Sequence, residues 1–565
     1  EGRERMPGRH GVSERTERSE GRERMPGRHG VSERTERSEG RERMPGRHGV
    51  STANLAAMLA GNARRFADAD ALVFEGRRWT HRQLDDDVNA LAAGLSAEGV
   101  RRDSRVAIVA NNVPEFLLLS LALAKLGAVF VPLNYRLTPA ELAQLLGHAR
   151  VEAVATVPEY AGLTGAATAD LPDVRRFALE PIDGGWLDLR ALVEANRGAR
   201  VADADLDDAA LQRIVYTSGT TSLPKGVLLT HGNVNMNMHA QIVELGLRPT
   251  DRILNVAPLY HVGGTDLPGY GIWHVGGCMV LHRRFEPAAV LRAIETERIT
   301  GMVLAATMLD MVRREAGAGT DLSSVRWLIY SQVTSALFGV ARGLFPNARL
   351  IEGYGLTETC SGLTYLDAAH QEAKQGSVGI PVPWVQVRVV DPDGDDVPVG
   401  VDGEVVARGP KVSPGYLDDP EATRDAFRDG WFHTGDIGCF DADGYLYIRD
   451  RLKDMIRSGG ENMSSAEIEN VLADHPLVLA ASVVAAPHPV WLEVPAAFVI
   501  GRPGLSPEAL MAHARQRLGR FKLPKEVYLV PEFPTNPSGK VLKRALRELR
   551  SSLRPDWTYD EARRD

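Results

Sequence analysis

Cysteine is scarce in this chain: Cys278, Cys360 and Cys439 are the three present, far apart in sequence. That spacing supports neither a disulfide framework nor a structural zinc site, and a reducing cytoplasm is the default compartment. Long apolar runs are missing too. None reaches the roughly 20 residues needed to cross a bilayer, so no membrane span is expected. Positive charge is not in excess: 66 Lys and Arg stand against 74 Asp and Glu, for a net charge of −8. A nucleic-acid partner, which calls for a basic stripe, is therefore not expected, and an anionic small substrate would need local positive charge.

What is present is the composition of a globular protein, 44% hydrophobic and 25% charged. At 565 residues the chain is long enough for about two to four domains. Residues 1–50 are the exception, because a nineteen-residue block from Glu1 to Ser19 is copied at Glu20 to Ser38 and begun a third time. Rich in Glu, Arg, Gly and Ser, this stretch predicts disorder, since it has too little apolar surface to offset the entropy of folding. A mis-assigned start near Val50 or a basic tether would each account for it.

From Leu55 the pattern becomes regular. Val106 to Ala110 and Val129 to Pro132 read as strands around an apolar helix from Pro114 to Gly127, with a further helix from Pro139 to His148. Arg252 to Val256, Met279 to Leu281 and Val325 to Tyr330 repeat the strand signal around a helix at Pro287 to Thr296. Alternation of this kind predicts an α/β fold with parallel sheets. Past Pro381 short strands and Asp-Pro-Asp-Gly and Asp-Ala-Asp-Gly turns predict a β subdomain over about 381–449. A smaller domain follows from Asp450, with helices at Ser465 to Ala473 and Pro507 to Leu518 and a strand at Val478 to Ala485.

The segment Tyr216-Thr-Ser-Gly-Thr-Thr-Ser-Leu-Pro-Lys-Gly-Val227 concentrates hydroxyls, glycines and one lysine after a buried strand and before the polar start of a helix near His231. Backbone N–H groups and hydroxyls in such a loop suit phosphate oxygens, and Lys225 adds charge. Without a Gly-Lys-Ser/Thr triplet it is not a Walker loop. By itself a solvated Ser/Thr turn explains it equally well.

Together with Pro258-Leu-Tyr-His-Val-Gly-Gly264, Glu352-Gly-Tyr-Gly-Leu-Thr-Glu358, Gly430-Trp-Phe-His-Thr-Gly-Asp436, Asp450-Arg-Leu-Lys-Asp454, Ser458-Gly-Gly-Glu-Asn462 and Pro537-Ser-Gly-Lys540, the loop resembles the adenylate-forming superfamily of acyl-CoA synthetases, over about Ser51 to Arg544. The resemblance implies a large adenylate-forming domain over 51–449 and a mobile α+β C-terminal domain over 450–565, hinged near Lys453. It implies an acyl-CoA ligase that forms an acyl-adenylate from ATP and a carboxylic acid, then a thioester with coenzyme A, releasing AMP. Thr217, Ser218, Gly219, Thr220, Thr221 and Lys225 would hold phosphates, and Thr357 the α-phosphate. Glu358 would help hold Mg²⁺. Tyr354 and Gly355 would lie at adenine, Asp436 and Arg451 at the nucleotide, and Lys540 would bridge acyl carboxylate and α-phosphate. Gly459 and Gly460 would line a pantetheine channel, and His261, Val262 and Gly263, with Met308, Val333 and Leu363, the acyl pocket. Gly263 and Gly264 leave room for a sizeable group, while Trp273 and Trp384 either narrow a tunnel or pack in the core.

Three positions depart from the family pattern. Ser222 and Leu492 stand where glycine is usual, and Ser331 to Ala336 replaces a Gly/Ala-rich turn. The first and third touch the ATP step, which predicts slow adenylation and, at the limit, an enzyme fed with acyl-AMP; harmless variation explains them as well. An acyl-AMP ligase loading a carrier protein and a catalytically silent nucleotide or acyl sensor remain as alternatives, and a homodimer is left open.

Overall fold

The computed structural model describes residues 54–217, 224–317, 319–331, 335–367, 369–451, 454–458, 461–489, 491–535 and 541–558. The expectations for residues 1–50, Ser218 to Ser222, Val333, Lys453, Gly459, Gly460 and Lys540 lie outside these, and Arg451 is described in its backbone only.

Two large sheets share one core. The first runs, edge to edge, through Ile380–Pro381, Ser361–Leu366, Arg349–Leu356, Trp327–Ser331, Gly301–Ala305, Arg252–Asn255, Cys278–Leu281, Asp70–Phe74 and Arg77–Thr80. Its six central strands are parallel, and antiparallel pairs close both edges. The second runs through Leu187–Asp188, Arg175–Ala178, Ala153–Thr156, Arg105–Val109, Val129–Leu133, Leu211–Thr217 and Lys225–Thr230, parallel except for its last pair. Helix Pro114–Leu126 is apolar on every side, and all its residues from Pro114 to Lys125 are buried. It contributes to a single apolar cluster with Leu72, Ile253 and Ile329 of the first sheet and Val106, Ile108 and Phe130 of the second. The α/β character read from the alternation of strands and helices is the observed one.

Alternation within a strand assigns its residues to opposite faces. In Leu211–Thr217, Val215 joins the cluster between the sheets, while Ile214 joins a separate one on the outer face with Val109 and Val131. Arg213 shares the inner face with Val215, which places a guanidinium in the apolar interior.

Residues 386–451 form a third, antiparallel sheet from Gln386–Val390, Gly403–Arg408, Phe427–Arg428, Trp431–Phe440 and Leu446–Arg451. The Asp441 carboxylate accepts from the Asp443 and Tyr445 N–H groups and so tightens the last hairpin. The smaller C-terminal part has its own sheet, built around Val478–His488 and Leu492–Gly501, with helices Ser465–Ala473, Pro507–Arg515 and Lys543–Arg550. Its core, with Ile456, Ile468, Val483 and Leu510, is separate from the large one.

Three local expectations are corrected. Strand Lys225–Thr230 lies between the phosphate-loop segment and helix His231–Leu245, and it pairs antiparallel with Leu211–Thr217 from Thr217 and Lys225 onward. The helix N-terminus is satisfied by a reciprocal Thr230 and Asn233 capping box. The helix read to Leu518 stops at Arg515. Asp436, expected after the Thr-Gly pair at the end of a strand, lies within the long strand Trp431–Phe440.

Candidate active site

The site assembles where the third sheet meets the antiparallel edges of the first two. Strands Arg349–Leu356 and Ser361–Leu366 pair Gly355 with Gly362 and Leu356 with Ser361, and the connection between them is a single 3₁₀ turn, Thr357–Thr359. A Cβ on Gly355 would lie 2.1 Å from the Ser361 carbonyl oxygen, so glycine is required by the close approach of the two strands. The turn carries Thr357 and Glu358 at the edge of the sheet, both half-buried.

Two candidates from distant parts of the sequence, Lys225 and Glu358, meet through a residue that sequence reasoning missed. The Tyr416 hydroxyl donates to Glu358 Oε1 at 2.9 Å, and the Lys225 ammonium lies 4.7 Å from the centre of the Tyr416 ring. The Ser413 N–H donates to the Glu358 carbonyl at 2.7 Å. Gly415 and Tyr416 in turn lie along strand Lys225–Thr230, where the Leu228 N–H donates to the Gly415 carbonyl. The segment from Lys411 to Tyr416 thus links the phosphate-loop hairpin to the Glu358 turn. No local sequence signal marks it, because its links to the Glu358 turn are tertiary and span about fifty positions.

A second pairing joins two nucleotide candidates. The Tyr354 hydroxyl donates to Asp436 Oδ2 at 2.6 Å, and Asp436 is the cross-strand partner of Arg451. Tyr354 and Asp436 both lie within strands.

At the acyl end, His261 precedes the short helix Val262–Asp266. Burial pushes its imidazole down to about 4, and Nε2 has no hydrogen-bond partner among the described residues. The ring is therefore neutral at pH 7. A cavity beside it is lined by Asn255, Val256, Gly263, Leu267, Pro268 and Val303, among others. Gly263 has open space at its Cβ position, but a Cβ on Gly264 would lie 2.4 Å from the Pro258 carbonyl oxygen. Gly264 is thus a packing requirement and gives the substrate no room. Leu363 is fully buried in the main core, and Met308 packs against a separate apolar cluster around Leu304 and Leu309. Trp273 is a core residue whose indole N–H donates to the Ala71 carbonyl, and Trp384 is 55% exposed, so neither narrows a tunnel.

Behind the turn lies a buried charged group. Arg213 and Asp266 are paired at 2.5 Å with no exposure, and Arg213 also donates to the Thr265 hydroxyl. Lys411, equally buried, donates to Asn237 Oδ1 at 2.6 Å and to the Gly362 carbonyl. Burial pushes the Lys411 ammonium down to about 8, and the Asp266 charge counters part of that shift. Among the described residues there is no cluster of three or more His, Cys, Asp or Glu that could hold a metal by itself. A cation at Glu358 would need phosphate oxygens and water to complete its shell. No helix among the described residues is long and apolar enough to cross a membrane.

Comparison with known proteins identifies the family. Residues 59–417 match the model of the AMP-binding enzyme family, and residues 467–540 that of the AMP-binding enzyme C-terminal domain. The chain is 39% identical over 488 residues to feruloyl-CoA synthase of Amycolatopsis sp, covering 86% of this chain and 96% of that protein. It is 37% identical over 484 residues to indoleacetate–CoA ligase of Aromatoleum aromaticum, covering 85% and 94%. In structure it superposes on o-succinylbenzoate CoA synthetase from Bacillus subtilis, in complex with the acyl-adenylate intermediate OSB-AMP, with a TM-score of 0.78 at 29% identity, covering 87% and 97%. With a large α/β domain that carries the Glu358 turn and a small C-terminal domain behind it, the chain belongs to the AMP-binding enzyme family of adenylate-forming ligases.

Proposed function

We propose that this chain is an aryl-acid–CoA ligase that works through an aryl-adenylate, with adenylation the slower half-reaction. The convergence of Lys225, Tyr416 and Glu358 on one edge, beside the Tyr354 and Asp436 pair, carries the reading. The relatives named above supply the substrate class, since each is named for a ring-bearing acid.

In the first half-reaction a carboxylate oxygen of the acid attacks the α-phosphorus of ATP. The bond to the bridging oxygen breaks, and pyrophosphate leaves with that electron pair. Lys225 and the Thr217 to Thr221 loop hold the departing phosphates, Thr357 the α-phosphate, and Asp436 and Arg451 the nucleotide, with Tyr354 and Gly355 at the adenine. The oxygen donors at Glu358 fit Mg²⁺, which when bound would offset the charge on the leaving group. Lys540 bridges the acid and the α-phosphate where negative charge develops. The ring of the acid lies by His261, Val262 and Gly263, and the neutral imidazole offers a polar edge without a charge.

In the second half-reaction the smaller domain, 450–565, turns about Lys453 and brings Gly459 and Gly460 to the site. The CoA thiolate adds to the adenylate carbonyl carbon, and the bond from that carbon to the phosphate oxygen breaks, with AMP leaving as the phosphate anion. Ser222 bears on the first step because its Cβ denies phosphate the close backbone approach that glycine allows.

Purified full-length chain given ATP, Mg²⁺ and a panel of acids should release pyrophosphate with aryl acids and little with straight-chain ones. Given synthetic aryl-AMP and CoA it should form thioester faster than it adenylates. A preference for straight-chain acids would refute the substrate class, and adenylation as fast as thioester formation would refute the slow step. Lys540→Ala, lacking the bridging charge, should lose pyrophosphate release and keep the second half-reaction.

A further inference from the structure

The connection from Glu358 to the next strand is strained. Cys360 and Ser361 both have positive φ, 48° and 75°, in succession and without glycine. Such conformations persist only where the surroundings over-determine them, and they gather at sites where position matters. Within the turn the Leu356 N–H donates to the Thr359 hydroxyl, which lies 2.9 Å from the Ser361 carbonyl, and the Cys360 N–H donates to the Thr357 carbonyl. One distant segment adds restraint from outside the turn. Ser413 N–H holds the Glu358 carbonyl, Tyr416 holds the Glu358 carboxylate, and Lys411 holds the Gly362 carbonyl just past the strained pair.

Lys411 is the costly member of this clamp. An ammonium with no exposure is expensive to bury, and an apolar side chain of similar length fills the same space at less cost. Its partners Asn237 and Gly362 explain what the charge does there. Asn237 Oδ1 anchors it to helix His231–Leu245, and the Gly362 carbonyl is the point at which the strained turn enters its strand. The Arg213 and Asp266 pair behind it supplies the compensating anion.

We propose that Lys411 is a positioning residue for adenylation: by fixing Gly362 to helix His231–Leu245 it holds the strained Thr357 to Ser361 turn, and with it Glu358, at the departing phosphates. This rests on the function proposed above. Glu358 acts while pyrophosphate leaves, so loss of the clamp should weigh on the Mg²⁺-dependent half-reaction and spare the transfer from acyl-AMP to CoA. Tyr416 acts on the same carboxylate from the other side and should share the phenotype.

The test compares full-length wild type with Lys411→Met, Lys411→Gln and Tyr416→Phe. Three quantities are read: the Mg²⁺ half-saturation of pyrophosphate release, the rate of thioester formation from synthetic aryl-AMP, and amide hydrogen exchange across 355–362. Lys411→Met should raise the Mg²⁺ half-saturation by about tenfold, the effect of losing one charge-assisted hydrogen bond, and quicken exchange in the turn. Thioester formation should stay within about threefold, and Lys411→Gln, which keeps a donor for Gly362, should recover most of the loss. Wild-type Mg²⁺ half-saturation and turn exchange in Lys411→Met would overturn the proposal. So would an equal fall of both half-reactions together with exchange rising throughout the domain, the signature of a residue that only supports the fold. Should Lys411→Met not fold, Tyr416→Phe decides, and an unchanged Mg²⁺ response there overturns the clamp. A wild type that releases no pyrophosphate with any acid sinks the functional reading itself. A wild type that does so while the variants match it sinks this proposal alone.

Discussion

Replacing Asp266 with Asn should destabilise the large domain out of proportion to the atoms changed. Arg213 and Asp266 are both without exposure and 2.5 Å apart, and Lys411 adds a second cation to the same group. Burial raises the Asp266 carboxyl against the opposing pull of the guanidinium beside it, so its charge depends on Arg213. Asp266→Asn leaves two buried cations with no anion. Breaking a buried pair from one side costs about 3–5 kcal/mol. The Asn amide oxygen still accepts from Arg213, which returns about 1 kcal/mol, so a net loss of about 2–4 kcal/mol is expected. Set against a total stability on the order of 10 kcal/mol, that is readily seen in a urea titration followed by tryptophan fluorescence, since Trp273 and Trp327 are fully buried in the same core. The double variant Arg213→Met with Asp266→Leu removes both charges at similar volume and should cost less than Asp266→Asn alone. A loss under about 0.5 kcal/mol for Asp266→Asn, or a double variant worse than the sum of the singles, would refute the assignment of a compensated buried ion pair.

Acid should weaken the fold through histidine. Burial pushes His231, His261 and His274 each down to about 4, below the ordinary value of 6.5, so the unfolded chain binds more protons between those limits. Their contribution is complete above about pH 6.5 and is lost as pH falls towards 4, and His231→Gln should flatten the fall in urea midpoint between pH 7 and pH 5. Tyr354→Phe removes the hydroxyl that orients Asp436 and should raise KM for ATP about tenfold with a smaller change in kcat; an unchanged KM argues against that role. Leu492 holds φ 70° while 70% exposed, so Leu492→Gly should relieve backbone strain and raise the stability of the C-terminal domain by about 1 kcal/mol, read as a higher urea midpoint.

The resemblance names most of the candidate site, yet it gives each motif as a separate fragment. Thr357 and Glu358 were legible because they stand in a contiguous motif, whereas Tyr416 and Lys411 were not, since their roles exist only through contacts to a turn about fifty residues earlier. Gly264 shows the opposite failure: small residues read as space for a substrate, but the Pro258 carbonyl already occupies what a side chain would need. The hairpin at Lys225–Thr230 escaped notice because a short strand just before a helix start has no periodicity of its own.

What the sequence determined by itself is the local order: strands alternating with helices, capping residues such as Thr138 and Thr230, the apolar helix Pro114–Leu126, and a set of motifs whose order implies adenylate chemistry. What only the tertiary structure decided is which distant residues share a point in space. Strand Asp70–Phe74 pairs with Cys278–Leu281 two hundred positions on, Tyr354 reaches Asp436, and a buried ammonium braces a strained turn. Periodicity and capping act over a few residues and leave a trace in the sequence. The pairing of strands and the compensation of buried charge are set by packing between layers, which no short window of sequence contains.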